Sequence, residues 1–346
     1  MNSVNSIKII QPDDWHVHIR EGEMMEAVIK YSSRVNHRCI VMPNLEIPIT
    51  TMKLGLAYLK KINSLSGDHF LPLLPCYLTD NLDLKDFELA LQEKVFVGAK
   101  LYPSNATTNS NYGISDMEKI YPIFELLQSL KKPLLIHGEK IRDDVDIFDR
   151  EKIFIDEELV VIRNKFSDLK IILEHVSSKY GADFVNDNKN IAGTVTPQHL
   201  MLTKKDVFFD DSINPHHFCM PVVKNEKDLL ALRKYTCSGN NKFFLGTDSA
   251  PHHVNFKIPS LKAKPGVFSS PCSIELYASI FDSENSLHNL EKFSSINGPK
   301  FYNLPVNNRY IELVKESWKL PEFTVYKNIK VKNFMYGKEI NWKIKE

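Results

Sequence analysis

Charge excess of either sign is missing from this chain. Lys and Arg total 44 against 43 Asp and Glu, a formal net charge of +1. There is no basic surplus to hold a nucleic acid and no acidic tail to hold a basic partner. No apolar run approaches the roughly 18 residues of a membrane span, so no membrane partner is expected. The first residues carry Lys8, Asp13 and Asp14 and no apolar signal core. Cys-x-x-Cys pairs are missing too. The five cysteines, Cys39, Cys76, Cys219, Cys237 and Cys272, are odd in number and irregularly spaced, which predicts reduced thiols in a cytoplasmic protein. No Gly-x-Gly-x-x-Gly turn follows any candidate strand, which removes the usual reason to expect an open nucleotide-binding sheet. No repeat of about 20–50 residues is present.

What is present is 346 residues with 43% hydrophobic content, ample for one large core. Short apolar runs alternate with longer amphipathic ones. Candidate strands are Trp15 to Ile19, Cys39 to Met42, Phe70 to Leu78, Phe96 to Leu101, Leu134 to His137, Ile171 to His175, Ile191 to Thr196 and Phe243 to Asp248. Helical periodicity covers Glu23 to Ser33, Thr50 to Ile62, Leu84 to Gln92, Asp116 to Leu130, Arg150 to Phe166 and about Lys227 to Thr236. Alternation to a count of eight predicts an α/β fold, a parallel (β/α)8 TIM barrel. Residues 1–346 are expected to form one unit, with a barrel core over about 8–272 and a helical and strand extension over about 273–346. The polar, aperiodic stretch Pro103 to Gly113 is long enough to be a lid rather than a connector.

The chemistry collects at strand ends. In Asp14-Trp15-His16-Val17-His18-Ile19-Arg20, strand alternation points His16 and His18 to one side. Two imidazoles aimed at one point make half of a metal site, and Arg20 adds a fixed positive charge for a substrate anion. Lys100, His137, His175 and Asp248 also close apolar runs. Taken singly each has a plain structural reading. A histidine at a strand end is more often a hydrogen-bonded rim residue, Lys100 a snorkelling lysine, Asp248 an N-cap. In a barrel, though, all six gather at the C-terminal mouth where active sites form. Four imidazoles and a carboxylate suit zinc. A free ammonium beside cations would be repelled, whereas a neutral lysine can add carbon dioxide and bridge two metals as a carbamate. His199, also at a strand end, is expected to be a supporting residue.

These positions lie in a set of motifs: Pro12-Asp13-Asp14-Trp15-His16-Val17-His18-Ile19-Arg20, Val41-Met42-Pro43-Asn44, Ala99-Lys100-Leu101-Tyr102-Pro103, Asn105-Ala106-Thr107-Thr108-Asn109-Ser110, His137-Gly138-Glu139, Glu174-His175, Thr196-Pro197-Gln198-His199, Gly246-Thr247-Asp248-Ser249-Ala250-Pro251-His252 and Asn297-Gly298-Pro299. Through them the chain resembles the dihydroorotases of the amidohydrolase superfamily, of the shorter, single-function bacterial type, over essentially its whole length. The resemblance implies two divalent ions, Zn2+ by family habit. His16, His18 and Asp248 would hold one, His137 and His175 the other, and carboxylated Lys100 and a hydroxide would bridge them. It implies that Arg20, Asn44 and His252 bind the substrate carboxylate, that Thr107 and Thr108 close over the substrate, and that Met220 and Pro265 offer backbone contacts to the ring amide. Met220 stands where leucine is usual, and the segment Phe256 to Phe268 departs from the family pattern. The implied reaction is the reversible conversion of N-carbamoyl-L-aspartate to L-dihydroorotate in pyrimidine synthesis, by a cytoplasmic homodimer, with Asp248 as base and then acid. Two other readings stay open: a sister hydrolase of hydantoins or dihydropyrimidines, which would have no use for a carboxylate-binding trio, and a metal-free binding protein, which would have lost ligands.

Overall fold

The computed structural model describes residues 4–345. The chain enters on β1 (Ser6–Ile10) and then builds the barrel from β2 (Asp13–Val17), β3 (Arg38–Val41), β4 (Leu71–Leu73) and β5 (Cys76–Tyr77), β6 (Ala99–Leu101), β7 (Leu134–Ile136), β8 (Ile171–Leu173), β9 (Ile191–Val195) and β10 (Phe243–Leu245). β4 and β5 are the two halves of one predicted strand, parted at Leu74-Pro75 because proline has no N–H for the ladder. The order β2-β3-β4 continues as β5-β6-β7-β8-β9-β10, all parallel. The ring closes where Asp248 N donates to His16 O at 2.8 Å and His18 N to Ser249 O at 3.0 Å. The predicted TIM barrel is therefore the observed one.

Helices α1 (Gly22–Val35), α2 (Met52–Ser66), α3 (Leu84–Gln92), α4 (Tyr121–Ser129), α5 (Arg150–Phe154) running through a π turn into α6 (Val160–Lys165), α7 (Lys179–Asp187), α8 (Pro197–Met201) and α9 (Glu226–Cys237) follow the strands. Several start on side-chain caps: Thr51 accepts from Leu54 N, Asp83 from Lys85 N, Ser178 from Gly181 N and Asn225 from Lys227 N, each satisfying an otherwise free N–H. The sequence reading placed no helix between β8 and β9. α7 is there, and its buried face is Gly181, Ala182 and Val185, with a glycine inside it that signals a helix poorly.

Within the barrel the core has two layers. The larger lies between strands and helices, and takes Val17, Ile19, Val41, Leu101, Ile136, Leu173, Val195 and Leu245. The smaller lies inside the ring, and takes Trp15, Ile40, Met42, Leu135, Ile172, Ala192 and Phe244 with Tyr302. It floors the barrel. Strict alternation would send Trp15 outward with Val17. A register irregularity between Asp14 and Val17 instead puts Trp15 on the floor while His16 and His18 line the space above, the re-aiming that bulges provide.

The remainder closes the far end and one flank. α10 (Ser273–Ser283) and α11 (Asn297–Tyr302) come first. Tyr302 of α11 stacks on Trp15 at 4.4 Å between ring centroids. Gly298 lies against the indole: a Cβ there would come within 1.9 Å of Trp15 Nε1, so only glycine lets α11 close the floor. β11 (Tyr310–Val314) pairs antiparallel with β1, and β12 (Phe323–Tyr326) with β13 (Ile329–Lys332) as a hairpin, before β14 (Lys343–Ile344) joins β11. That hairpin covers one face of α1: Met24, Ala27, Val28 and Tyr31, the face read from the sequence, pack with Phe268, Tyr326, Ile329 and Val331. Met25 and Ile29 of α1 face the main core instead. No helix among the described residues is long and apolar enough to cross a membrane, and the five cysteines are buried and free.

Candidate active site

The mouth of the barrel holds a narrow cavity lined by His16, His18, Arg20, Asn44, Tyr102, Thr107, Thr108, His137, His175, Met220, Asp248, Ala250, Pro265 and Gly266. Nearly every residue singled out in the sequence thus faces one space. Lys100 lies just beneath it and is 0% exposed. His252 stands behind Arg20.

Backbone geometry brings the side chains in. On β8, Ile172 points to the floor, so Glu174 follows it inward and His175 should turn out with Leu173. His175 instead has φ 43°, and Asp248 has the same value. Left-handed backbone at two non-glycine strand ends is uncommon and costs energy, and here it turns both side chains into the mouth. His175 N is held by Thr194 Oγ1 at 2.7 Å. Asp14 ties the closing strands together, accepting from His16 N at 3.1 Å, Thr247 N at 2.9 Å and Thr247 Oγ1 at 2.6 Å.

Four imidazoles form a chain, with ring centroids 5.3 Å apart for His16–His18, 5.0 Å for His16–His175 and 4.7 Å for His137–His175. Asp248 Oδ1 lies 3.0 Å from His18 Nε2 and 3.3 Å from His16 Nε2. His137 Nδ1 lies 3.1 Å from His175 Nε2, while Glu139 Oε2 holds His137 Nε2 at 2.7 Å. That carboxylate fixes the proton on Nε2 and leaves the Nδ1 lone pair facing the cluster. Glu174 contacts the Lys100 ammonium directly, and its other oxygen lies 2.9 Å from His16 Nδ1, off hydrogen-bond alignment.

Burial and charge set the protonation states. Burial holds His18 down at about 3, with Arg20 adding to it, and burial with the neighbouring His137 holds His175 far below its usual value. Burial also lowers His16, but the Glu174 and Asp248 carboxylates outweigh it and raise it to about 9. Burial opposes the charge on Asp248, yet its bonds to His16 and His18 hold it well below the usual carboxylate range. Burial pulls the Lys100 ammonium down, and Glu174 only partly opposes this.

These donors fit divalent cations. Ligand atoms of His16, His18 and Asp248 lie within 4.8 Å of one another, and so do those of His16, Glu174 and His175. His175 Nδ1 and Glu174 Oε1 are buried without hydrogen-bond partners, whereas buried polar atoms ordinarily have them.

Next to His18, Arg20 Nε donates to Pro251 O at 3.2 Å, its Nη1 lies 3.3 Å from His18 Nδ1 and its Nη2 3.2 Å from His252 Nε2, which is 3.0 Å from Pro265 O. Over the top lies the stretch Pro103 to Gly113. Asn44 Nδ2 donates to Thr108 O at 2.9 Å, Asn109 Nδ2 to Asn44 O at 3.0 Å and Tyr77 OH to Asn109 O at 3.2 Å. His199 is buried and bonded to Thr196 Oγ1 and Pro221 O. Glu174, Glu139, Asp14 and Tyr102 were given no role from the sequence. Each sits beside a residue that was, at the inward spacing of a strand end, and that spacing was the available signal.

An eight-stranded parallel barrel with histidines and carboxylates converging at its mouth is the architecture of the amidohydrolase class, and L-hydantoinase from Arthrobacter aurescens shares the fold at TM-score 0.81 and 16% identity over 98% of this chain and 83% of that one. Nearer relatives narrow this. The chain is 47% identical over 343 residues, 98% of each chain, to the dihydroorotase of Yersinia pseudotuberculosis serotype I. The structures of dihydroorotase from Saccharomyces cerevisiae in complex with 5-fluoroorotic acid (TM-score 0.93, 33% identity, 99% of each chain) and from Campylobacter jejuni (0.90, 33%, 100% of this chain and 99% of that one) superpose throughout. No family model matches the chain. It belongs to the dihydroorotase family, and is an enzyme: a hydrolase acting on cyclic amides in pyrimidine biosynthesis. The family carries a two-metal site and takes a small-molecule substrate.

Proposed function

We propose that this chain interconverts N-carbamoyl-L-aspartate and L-dihydroorotate in the cavity at the barrel mouth. His16, His18 and Asp248 would hold one Zn2+, His137 and His175 a second, with carboxylated Lys100 shared between them. Such ions acidify a water near neutral pH and draw charge from the amide carbonyl. The lowered Lys100 ammonium supports carboxylation, since only the neutral amine adds carbon dioxide. In the hydrolytic direction a water oxygen adds to the ring carbonyl carbon and the carbon–nitrogen bond breaks. Asp248, ionised and facing the cluster, takes the water's proton and hands it to the departing ring nitrogen. Arg20, Asn44 and His252 orient the substrate carboxylate, Met220 and Pro265 present backbone to the ring amide, and Thr107 and Thr108 close the space. Residues 1–346 act as one unit in this reading, with the barrel over about 8–272 and the extension over about 273–346. The enzyme is a cytoplasmic homodimer. Five buried free thiols support a reducing compartment; the homodimer rests on the family resemblance.

The observation that carries the substrate is Arg20. It is a guanidinium in the cavity wall, held by Pro251 O and set against His252, and a hydantoinase-type substrate without a carboxylate would leave it unanswered. The wild-type protein is expected to act on L-dihydroorotate and not on dihydrouracil. Arg20→Met should lower kcat/KM for L-dihydroorotate by roughly 10–10²-fold, the worth of a hydrogen-bonded charge, mostly through KM. Equal rates on both substrates would reject the assignment.

The lid makes a separate prediction. Its hydrogen bonds to the barrel are the three with Asn44 and Tyr77 given above; Ala106 is buried and Tyr112 is 57% exposed. Thr107→Ala with Thr108→Ala is expected to lower kcat by roughly 10²-fold, as a loosened substrate does, with metal content unchanged. Steady-state kinetics and metal analysis decide it, and an unaltered kcat removes the lid from the reaction.

A further inference from the structure

Tyr102 stands in the cavity wall with no part in the reaction as described. It lies two residues beyond Lys100, so strand alternation puts both on the inner face of the barrel, Tyr102 one level nearer the mouth. The residue is 1% exposed. Its ring stacks on Tyr77 at 5.2 Å and lies 6.2 Å from His137, with Lys100 Nζ 4.6 Å from its centroid. Its backbone is pinned as well, since Tyr102 O accepts from Ile114 N at 2.8 Å at the foot of the lid. Yet the phenolic oxygen is buried without any hydrogen-bond partner, in a residue that lines the cavity. A buried tyrosine hydroxyl ordinarily finds a partner. One left open on a binding cavity is a donor waiting for a ligand.

We propose that Tyr102 is a further catalytic residue, whose O–H donates a hydrogen bond to the oxygen of the ring carbonyl under attack. The placement selects that end of the substrate. Arg20 and His252 fix the carboxylate beside β2 and β10, and β6 stands across the ring from them, next to His137 just past the end of β7. As the carbonyl carbon becomes tetrahedral its oxygen gains negative charge, and a donor already held by stacking stabilises it without reorganising. The phenolic proton stays on Tyr102 throughout, and no bond to the residue forms or breaks. The inference rests on the assignment of the reaction to this cavity.

Tyr102→Phe tests it, because the ring and its stacking on Tyr77 remain and only the hydroxyl goes. The expected result is a kcat lowered roughly 10²-fold in both directions, as for loss of one oxyanion donor. KM for L-dihydroorotate and the Kd of orotate, which presents a flat carbonyl, should stay within about threefold, with metal stoichiometry unchanged. A kcat within about twofold of wild type overturns the inference. So does weaker orotate binding at unchanged kcat, which would make the hydroxyl a ground-state contact, and so does loss of metal together with kcat, which would make it a support for the cluster. A wild-type protein inert on L-dihydroorotate would instead fail the assignment of the reaction, a distinct outcome.

Discussion

Lys100→Ala is expected to strip most of the metal from the protein and to slow turnover of L-dihydroorotate by roughly 10⁴-fold or more, about 5.5 kcal/mol of barrier at about 1.36 kcal/mol per tenfold. The lysine is enclosed, with its side chain 0% exposed and its end on Glu174. In the proposed assignment its carbamate is the protein ligand common to both ions, so alanine removes a donor from each at once. Acetate or propionate supplied with Zn2+ should recover part of the activity, because the vacated space can take a small anion. Elemental analysis and turnover on one preparation check this, with a thermal melt to show that the barrel still folds. A Lys100→Ala protein with full metal and full turnover would falsify the shared-ligand reading.

Asp248→Asn separates holding a metal from moving a proton. The carboxylate touches His16 and His18, and its backbone closes the barrel through His16 O. Asparagine keeps the shape and one coordinating oxygen but cannot take a proton. A loss of ~10²–10⁴-fold in kcat is expected, the usual worth of general acid–base help, and in both directions, because the same group handles the proton each way. Most metal should stay, since His16, His18, His137, His175 and Lys100 are untouched. Substrate affinity should change little, since Arg20, Asn44 and His252 are untouched. Near-normal turnover with metal in place would reduce Asp248 to a ligand and send the proton elsewhere.

Much of the molecule was legible beforehand because its signals are local. The His16-x-His18 pair needs only the two-residue period of a strand. The barrel strands show as apolar runs, since both of their faces are covered, and α3 was read to the residue because Asp83 caps it. What escaped has a physical reason in each case. α7 carries Gly181 in its buried face beside Ala182 and Val185, and a glycine inside a helix weakens the local signal. Trp15 turned inward because of a register irregularity that composition does not announce. Glu139 and Glu174 read as ordinary charged residues, because their one signal, the inward spacing beside His137 and His175, is weak without the barrel around it.

The sequence by itself determined the eightfold alternation, the residue types at the strand ends and, through its motifs, the family. Only the tertiary structure decided which of those groups meet. Lys100 and Glu174 are 74 positions apart and His18 and Asp248 are 230 apart. Their contacts follow from strand register and ring closure, quantities that depend on every neighbour around the barrel. The left-handed backbone at His175 and Asp248 is likewise imposed from outside, by packing that holds two strained residues where local preference alone would not put them.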